Sequence, residues 1–359
     1  MAVTSNTDIS LNEILGQFTI PKGEYTFHPM TSGLINDTFL VSKSGSPLFV
    51  FQRINDTVFE NVSGLMRNLE LALTHLHGPK YCQLNLIKTL EGDSYYSSQK
   101  EPIGHWRLVA FLDQTRTFDN APNETVAFEA GRIIGNFHVL LEKSNPAAYV
   151  DTIPRFHDLA LREDQFHDAL KSADSNRLTV AKNAILFAEE TIATLNTMQI
   201  EELPLRVCHN DTKLNNILFS EKTNKALCLI DLDTLMAGHF LYDFGDAVRT
   251  IANSAAEDEQ KHEKITFDKS LFEAFVKGLA SNGQFLSKKE IHSLSTGVVL
   301  MPFLHGLRAL TDYLGNDGYY KVSYSSQNLD RALSLFNFTK KALNELASIR
   351  TIINATLRY

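Results

Sequence analysis

The chain has 359 residues, 43% of them hydrophobic and 21% charged, which is the balance of a folded globular protein and longer than the ~250–300 residues at which a single core usually divides. A net charge of −8 argues against a nucleic-acid partner held on a basic face. No apolar run approaches the ~18 residues of a membrane span, "MAVTSNTDIS" lacks the basic and apolar parts of a secretory signal, and the sparse cysteines Cys82, Cys208 and Cys228 predict reduced thiols in a cytoplasmic protein.

Taken in chain order, residues 24–55 alternate as strands, "GLINDTFLV" and "PLFVFQRIN", across the turn-rich "SKSGS". Leu65, Leu69, Leu73 and Leu76 then recur at helical spacing, and "WRLVAFL" reads as a further strand. This order predicts a small α+β lobe over residues 1–113, with the lobe boundary near residues 113–120. Residues 114–359 are predicted to form a larger, mainly helical lobe. Its first helix carries Ala130, Ile133, Ile134, Phe137, Leu140 and Leu141 as one apolar stripe. Helical patterns follow in "DQFHDALKSA" and "VAKNAILFAEETIATLNTMQ", and later near residues 269–281, 288–315 and 328–356. Between them, "NILF" and "ALCLI" flank the polar turn "SEKTNK", which predicts a β-hairpin with acidic and amide side chains at both ends.

Those hairpin ends carry the chemistry. His209-x-Asp211 is followed five residues later by Asn216, and Asp231 stands fifteen residues beyond that, at the end of an apolar strand. Phosphoryl transfer calls for this set: an aspartate to orient a hydroxyl and take its proton, and an amide and a carboxylate to hold Mg²⁺ on the phosphates. A buried Asp/Asn-rich turn is the bland alternative. The pattern resembles the kinase-like phosphotransferases of the aminoglycoside phosphotransferase and choline kinase superfamily, with their His-x-Asp-x-x-x-x-Asn loop and a metal aspartate after a hairpin. The resemblance implies a two-lobed protein-kinase-like fold of α+β class and ATP as donor. It makes Asp211 the catalytic base, Asn216 and Asp231 metal ligands, Asp233 a possible second carboxylate, and His209 a brace of the loop. The triplet Asp243-Phe244-Gly245 looks like the metal motif of protein kinases, but no hairpin strand delivers it. With Gly238 it fits instead the superfamily's Gly-x-x-x-x-Asp stretch, whose aspartate supports the catalytic loop.

The same resemblance assigns the nucleotide to the small lobe. Ser32, Gly33, Asn36 and Thr38 of "TSGLINDTFLV" would form a loosened phosphate loop whose N–H groups cover the phosphates. Kinases place a lysine on the next strand, paired with a helix glutamate. Here the strand reads "LFVFQRIN", so Gln52 or Arg53 must serve, with Glu70 as the helix partner, while Phe111 and Leu112 would form the hinge against adenine. Within the superfamily, "INDTFLV", "LMRNLEL", "RFHD", "LRVCHNDTKLNNILF", "ALCLIDLDT", "LYDFGDAVR", "AAEDE" and "GLRALTDYLGNDGYY" resemble the N-acetylhexosamine 1-kinases over about residues 30 to 330. That family phosphorylates the anomeric hydroxyl of N-acetylglucosamine or N-acetylgalactosamine with ATP and Mg²⁺. It places the sugar near Arg308, Asp312, Tyr313, Tyr319 and Tyr320, with Lys213 and Asn215 beside the base. The expected partners are thus ATP and a small sugar, and the expected state a monomer. Choline or aminoglycoside acceptors are cationic, whereas residues 250–359 hold 11 acidic and 13 basic residues, a net of +2. A catalytically silent sensor is the third reading, and such a protein has no need to keep Asp211, Asn216 and Asp231 together.

Overall fold

A computed structural model describes residues 6–30, 35–198 and 202–357. Helix α1 (Asn6–Leu15) leads into a six-stranded antiparallel sheet of β1 (Thr26–Met30), β2 (Asp37–Lys43), β3 (Ser46–Ile54), β4 (Leu86–Ile87), β5 (Tyr96–Ser98) and β6 (Gly104–Ala110). Helix α2 (Val62–Leu73) is inserted after β3. The sheet order is β1-β2-β3-β6-β4, with β5 also paired to β6. Strand alternation sorts the side chains into two faces. Phe51, Trp106 and Leu108, with the partly buried Phe39, close a small core against Leu11, Leu15 and Phe18. Thr38, Gln52 and Arg107 are out of phase with these by one residue. Because Thr38 stands opposite Gln52, and Gln52 opposite Arg107, they form a polar row on the other face.

The rest of the chain is mainly helical. β7 (Thr115–Arg116) leads from the sheet to α3 (Glu124–Leu140), α4 (Leu159–Ser172), α5 (Ser175–Val180) and α6 (Lys182–Thr197). Strand β8 (Arg206–Cys208) precedes the hairpin β9 (Ile217–Ser220) and β10 (Ala226–Leu229), and β11 (Met236–Gly238) returns to pair with β8. Helices α7 (Phe240–Ile251), α8 (Lys269–Ala280), α9 (Lys288–Leu314), α10 (Gln327–Asn344) and α11 (Leu346–Thr356) complete the fold. The last two replace the single helix expected over residues 328–356: the chain turns at Glu345, which lets Ile349 and Ile353 of α11 reach the core. Among the described residues α9 alone is long and apolar enough to cross a membrane, but 78% of its apolar window is buried inside the protein, so it is the central core helix. Its N-terminus is closed by a capping box between Ser287 and Glu290.

Candidate active site

The loop after β8 carries His209, Asn210 and Asp211, and three side chains hold it: its own Asn210 and His209, and Asp243 of α7. Asn210 has φ 62°, in the left-handed region that asparagine tolerates. Its side chain donates to the carbonyls of Cys208 (3.2 Å) and Thr234 (3.0 Å). Beside it the chain comes so close at Gly238 that a Cβ there would lie 3.0 Å from the Asn210 amide oxygen. His209 Nδ1 accepts from the Asp211 N–H (3.2 Å) and Nε2 stands 2.9 Å from the Ile230 carbonyl. The imidazole is therefore the Nε2–H tautomer, donating to the residue before Asp231.

Asp243 is the third support. Its buried carboxylate accepts from the N–H groups of His209 (2.9 Å) and Asn210 (2.7 Å) and stands 2.9 Å from His138 Nε2. Thr212 donates to its carbonyl (2.6 Å). His138, Cys208 and Asp243 are the one group of three ligating side chains close enough for an ion among the described residues, but the donors around Asp243 already satisfy its oxygens. The triplet lies within α7, Phe244 is in the core, and a Cβ on Gly245 would lie 2.1 Å from the Gly297 carbonyl oxygen of α9. Each residue of the triplet thus has a packing or bracing task.

On this frame Asp211 and Asn216 meet. Asn216 Nδ2 donates to the Asp211 carbonyl (2.8 Å) and carboxylate (2.9 Å), and Lys213 Nζ lies 2.9 Å from the same Oδ2. Burial, the largest single influence, pushes the Asp211 carboxyl up, but the charges of Lys213 and Arg249 and the Lys213 hydrogen bond together bring the net shift downward. Lys213 is held up as an ammonium, against its burial, by Asp211 and Asp231. The loop therefore offers a charged carboxylate, able to orient a hydroxyl and take its proton, beside a cation able to meet a phosphoryl oxygen.

Asp231 follows the hairpin with φ 59°, an uncommon conformation for a non-glycine residue. It is open to cleft water and yet walled by protein. That surrounding, then the charge of Asp233, raises its carboxyl to about 6. An open oxygen with uncompensated negative charge is the donor chemistry of a hard divalent cation, so Asp231 fits a metal ligand, with Asn216 close by. Asp233 is different. It is buried, and its two oxygens are taken by Asn36 Nδ2 (2.6 Å) and Arg107.

Several sequence expectations need correction in the small lobe. Glu70 forms no pair with β3; it bridges Lys88 at the protein surface, because α2 turns the buried Asn68 toward the other lobe, donating to the Leu235 carbonyl (2.8 Å). Arg53 cannot stand in for the missing lysine, since alternation places it opposite Trp106, where it pairs with Asp37 (2.9 Å). Gln52 does face the cleft, between Thr38 Oγ1 (3.1 Å) and Arg107 Nε (2.9 Å). Phe111 gives its N–H to Leu48 (2.8 Å) and the Leu112 carbonyl takes the Thr115 hydroxyl (2.7 Å), so those two groups are committed within the protein, and a hinge contact with adenine would fall to the Phe111 carbonyl and the Leu112 N–H. Ser32 and Gly33 lie outside the described residues.

In the helical lobe, Asp312 accepts from the N–H groups of Tyr319 (2.8 Å) and Tyr320 (2.9 Å) and from Asn328 (2.9 Å). It shapes the 317–320 loop, with one donor on Oδ1 and two on Oδ2, so its first task is to hold that loop. Tyr313 is buried beneath Arg177, with 4.5 Å from guanidinium to ring centroid, and belongs to the core. Asn215 reaches Asp119 (3.2 Å) in the connection between lobes. Arg308 is partly open, its guanidinium over the rings of Phe156 (4.9 Å), Tyr319 (5.7 Å) and Tyr320 (5.9 Å).

Sequence reasoning missed the groups that link these parts. Arg249 binds Asp246 (2.6 Å), which also meets His305 (3.1 Å), and the charges of both Asp246 and Arg249 are felt at Asp211. His157 Nε2 lies 3.0 Å from the Asn210 carbonyl, and burial pushes it down to about 3, so it is neutral and donating. Arg162 donates to the Phe156 carbonyl (2.8 Å) and is lowered to about 10 by burial and by Arg308. Arg331 lies over Tyr320 (5.2 Å). The helical phase of "DFGDAVR" could have exposed Asp246 and Arg249, three apart on one face; the others meet only through tertiary structure.

The sequence profile of the phosphotransferase enzyme family matches residues 26–273. Among solved structures, the chain resembles the microcompartment-associated aminopropanol kinase at 14% identity, with a TM-score of 0.63, covering 95% of this chain and 98% of that one. A choline kinase from Cryptosporidium parvum Iowa II gives 15% identity and a TM-score of 0.62, covering 98% and 99%. An aminoglycoside phosphotransferase from Alicyclobacillus acidocaldarius subsp. acidocaldarius gives 14% and 0.62, covering 99% and 98%. At these identities the likeness is one of fold: a two-lobed, protein-kinase-like α+β architecture.

Proposed function

This chain belongs to the phosphotransferase enzyme family and is a small-molecule kinase, and we propose that its acceptor is an N-acetylhexosamine, phosphorylated by ATP with Mg²⁺ at the anomeric C1 hydroxyl. The observation that carries the choice of acceptor is the arginine and tyrosine wall beyond the catalytic loop. Arg308, Arg162 and Arg331 cluster around Phe156 and Tyr320. Guanidinium groups donate to hydroxyl and amide oxygens, aromatic rings suit the apolar face of a pyranose, and such a wall repels a choline or aminoglycoside cation. The "GLRALTDYLGNDGYY" resemblance points the same way.

Asp211 would accept the C1 hydroxyl proton as that oxygen bonds to the γ-phosphorus and the bond to the β-phosphate oxygen breaks, leaving ADP. Asn216 and Lys213 both hold its carboxylate in place, and a silent sensor has no need to keep a proton acceptor there. Lys213 would hold the transferring phosphoryl oxygens close to Asp211. Asp231 and Asn216 would hold a divalent cation, which supplies neutralisation of phosphate charge.

The deciding experiment is ³¹P NMR of the product formed from N-acetylglucosamine, and separately N-acetylgalactosamine, with ATP. An anomeric phosphate is expected. A C6 phosphate, or turnover with choline or aminoglycosides alone, would defeat the proposal.

A further inference from the structure

We propose that Arg107, on β6, is the cation that meets the nucleotide's phosphates, and that its ion pair with Asp233 is a resting latch between the lobes which nucleotide exchanges for itself. The inference rests on the chain being a kinase, not on which acceptor it uses.

Four observations carry it. First, β3 has no lysine, and the alternative cation, Arg53, is on the wrong face of the sheet. Second, Arg107 is in the polar row that faces the cleft, directly opposite Gln52, whose side chain accepts from Arg107 Nε at 2.9 Å. The amide on β3 thus aims the guanidinium of the neighbouring strand. Third, Arg107 is 3% exposed and Asp233 2%. A charge pair so buried is costly to desolvate, and its counterpart hydrophobic pair would often be at least as stable; fold stability alone gives little reason for it. Fourth, the pair spans the lobes at the metal position. Asp233 is two residues from Asp231, the charge of Arg107 reaches Asp231, and Asp233 also accepts from Asn36, the residue before β2. One carboxylate therefore ties down both the cation and a second small-lobe side chain. A guanidinium binds phosphate with the same fork it offers a carboxylate, so a phosphate entering the cleft can take Arg107 from Asp233. The released Asp233 then turns its carboxylate toward Asp231, where a second negative charge favours a cation.

Calorimetric titration of ADP, AMP and adenosine, each with EDTA and with Mg²⁺, tests this without turnover. In Arg107→Met, ADP affinity should fall about ten-fold or more while adenosine affinity holds, and Arg107→Lys should recover part of the loss. Asp233→Asn removes the competitor, so metal-free ADP should bind several-fold tighter than to the wild type. Unchanged ADP binding by Arg107→Met, or equal losses for ADP and adenosine, overturns the assignment. If Arg107→Met does not fold, Asp233→Asn decides: metal-free ADP binding no tighter than the wild type's overturns it. Wild-type protein that fails to bind ADP at all would refute the kinase reading along with it, whereas the variant outcomes touch the assignment alone.

Discussion

Replacing Asp243 by alanine separates a brace from a metal ligand. The buried carboxylate takes three contacts: the N–H of His209 at 2.9 Å, the N–H of Asn210 at 2.7 Å and His138 Nε2 at 2.9 Å. The variant leaves these donors bare, each at ~1–3 kcal/mol. Water entering the small cavity reduces the sum, so the loss should be roughly 3–6 kcal/mol, against a total stability of ~5–15 kcal/mol. That exceeds the ~1 kcal/mol of a lost helix cap, because this carboxylate supports a loop as well as a helix start. The unfolding midpoint should drop on the order of 10 °C. Activity should fall with folded population and loop order, while the Mg²⁺ concentration giving half-maximal rate stays where it was. Thermal unfolding and a Mg²⁺ titration of the rate are the assays. An unchanged midpoint would refute the brace, and a large shift in the Mg²⁺ requirement with Asp231→Ala still active would show that the literal "DFG" holds the metal.

Asp211→Asn should keep ADP and sugar binding and lose kcat by a factor on the order of 10² or more; stopped or single-turnover assays giving near-normal kcat would remove it as the base. Asp231→Asn should abolish metal-dependent turnover yet stabilise the metal-free protein. Its folded carboxyl, at about 6, is above its ordinary value of 3.8. Metal-free stability is therefore greatest, as far as this group decides it, below about pH 4 and is lost as pH rises through about 6. Solvent access reduces the effect to about 1 kcal/mol, and unfolding midpoints in EDTA between pH 4 and 7 should fall for the wild type more than for Asp231→Asn. Arg308→Ala should weaken sugar binding by roughly 1.5–3 kcal/mol and spare ATP, as read by calorimetry; unfolding, or unchanged sugar affinity, would make its stack on Phe156, Tyr319 and Tyr320 purely structural.

The amino-acid sequence by itself determined whatever depends on local spacing. Five residues bring Asn216 back to Asp211 because one tight loop spans them, and a hairpin of known length carries the chain on to Asp231. Alternation in "LFVFQRIN" and "HWRLVAFL" already contains the division of faces that sets Gln52 apart from Arg53, since side-chain direction reverses at every strand residue. Tertiary structure decided what depends on pairing between distant segments. That Gln52 stands opposite Arg107, that Arg107 ends on Asp233 and that Glu70 turns away to Lys88 all follow from sheet order and lobe packing. A carboxylate or guanidinium can satisfy its charge with any of several partners, and only the packed chain determines which of them arrives within hydrogen-bonding distance.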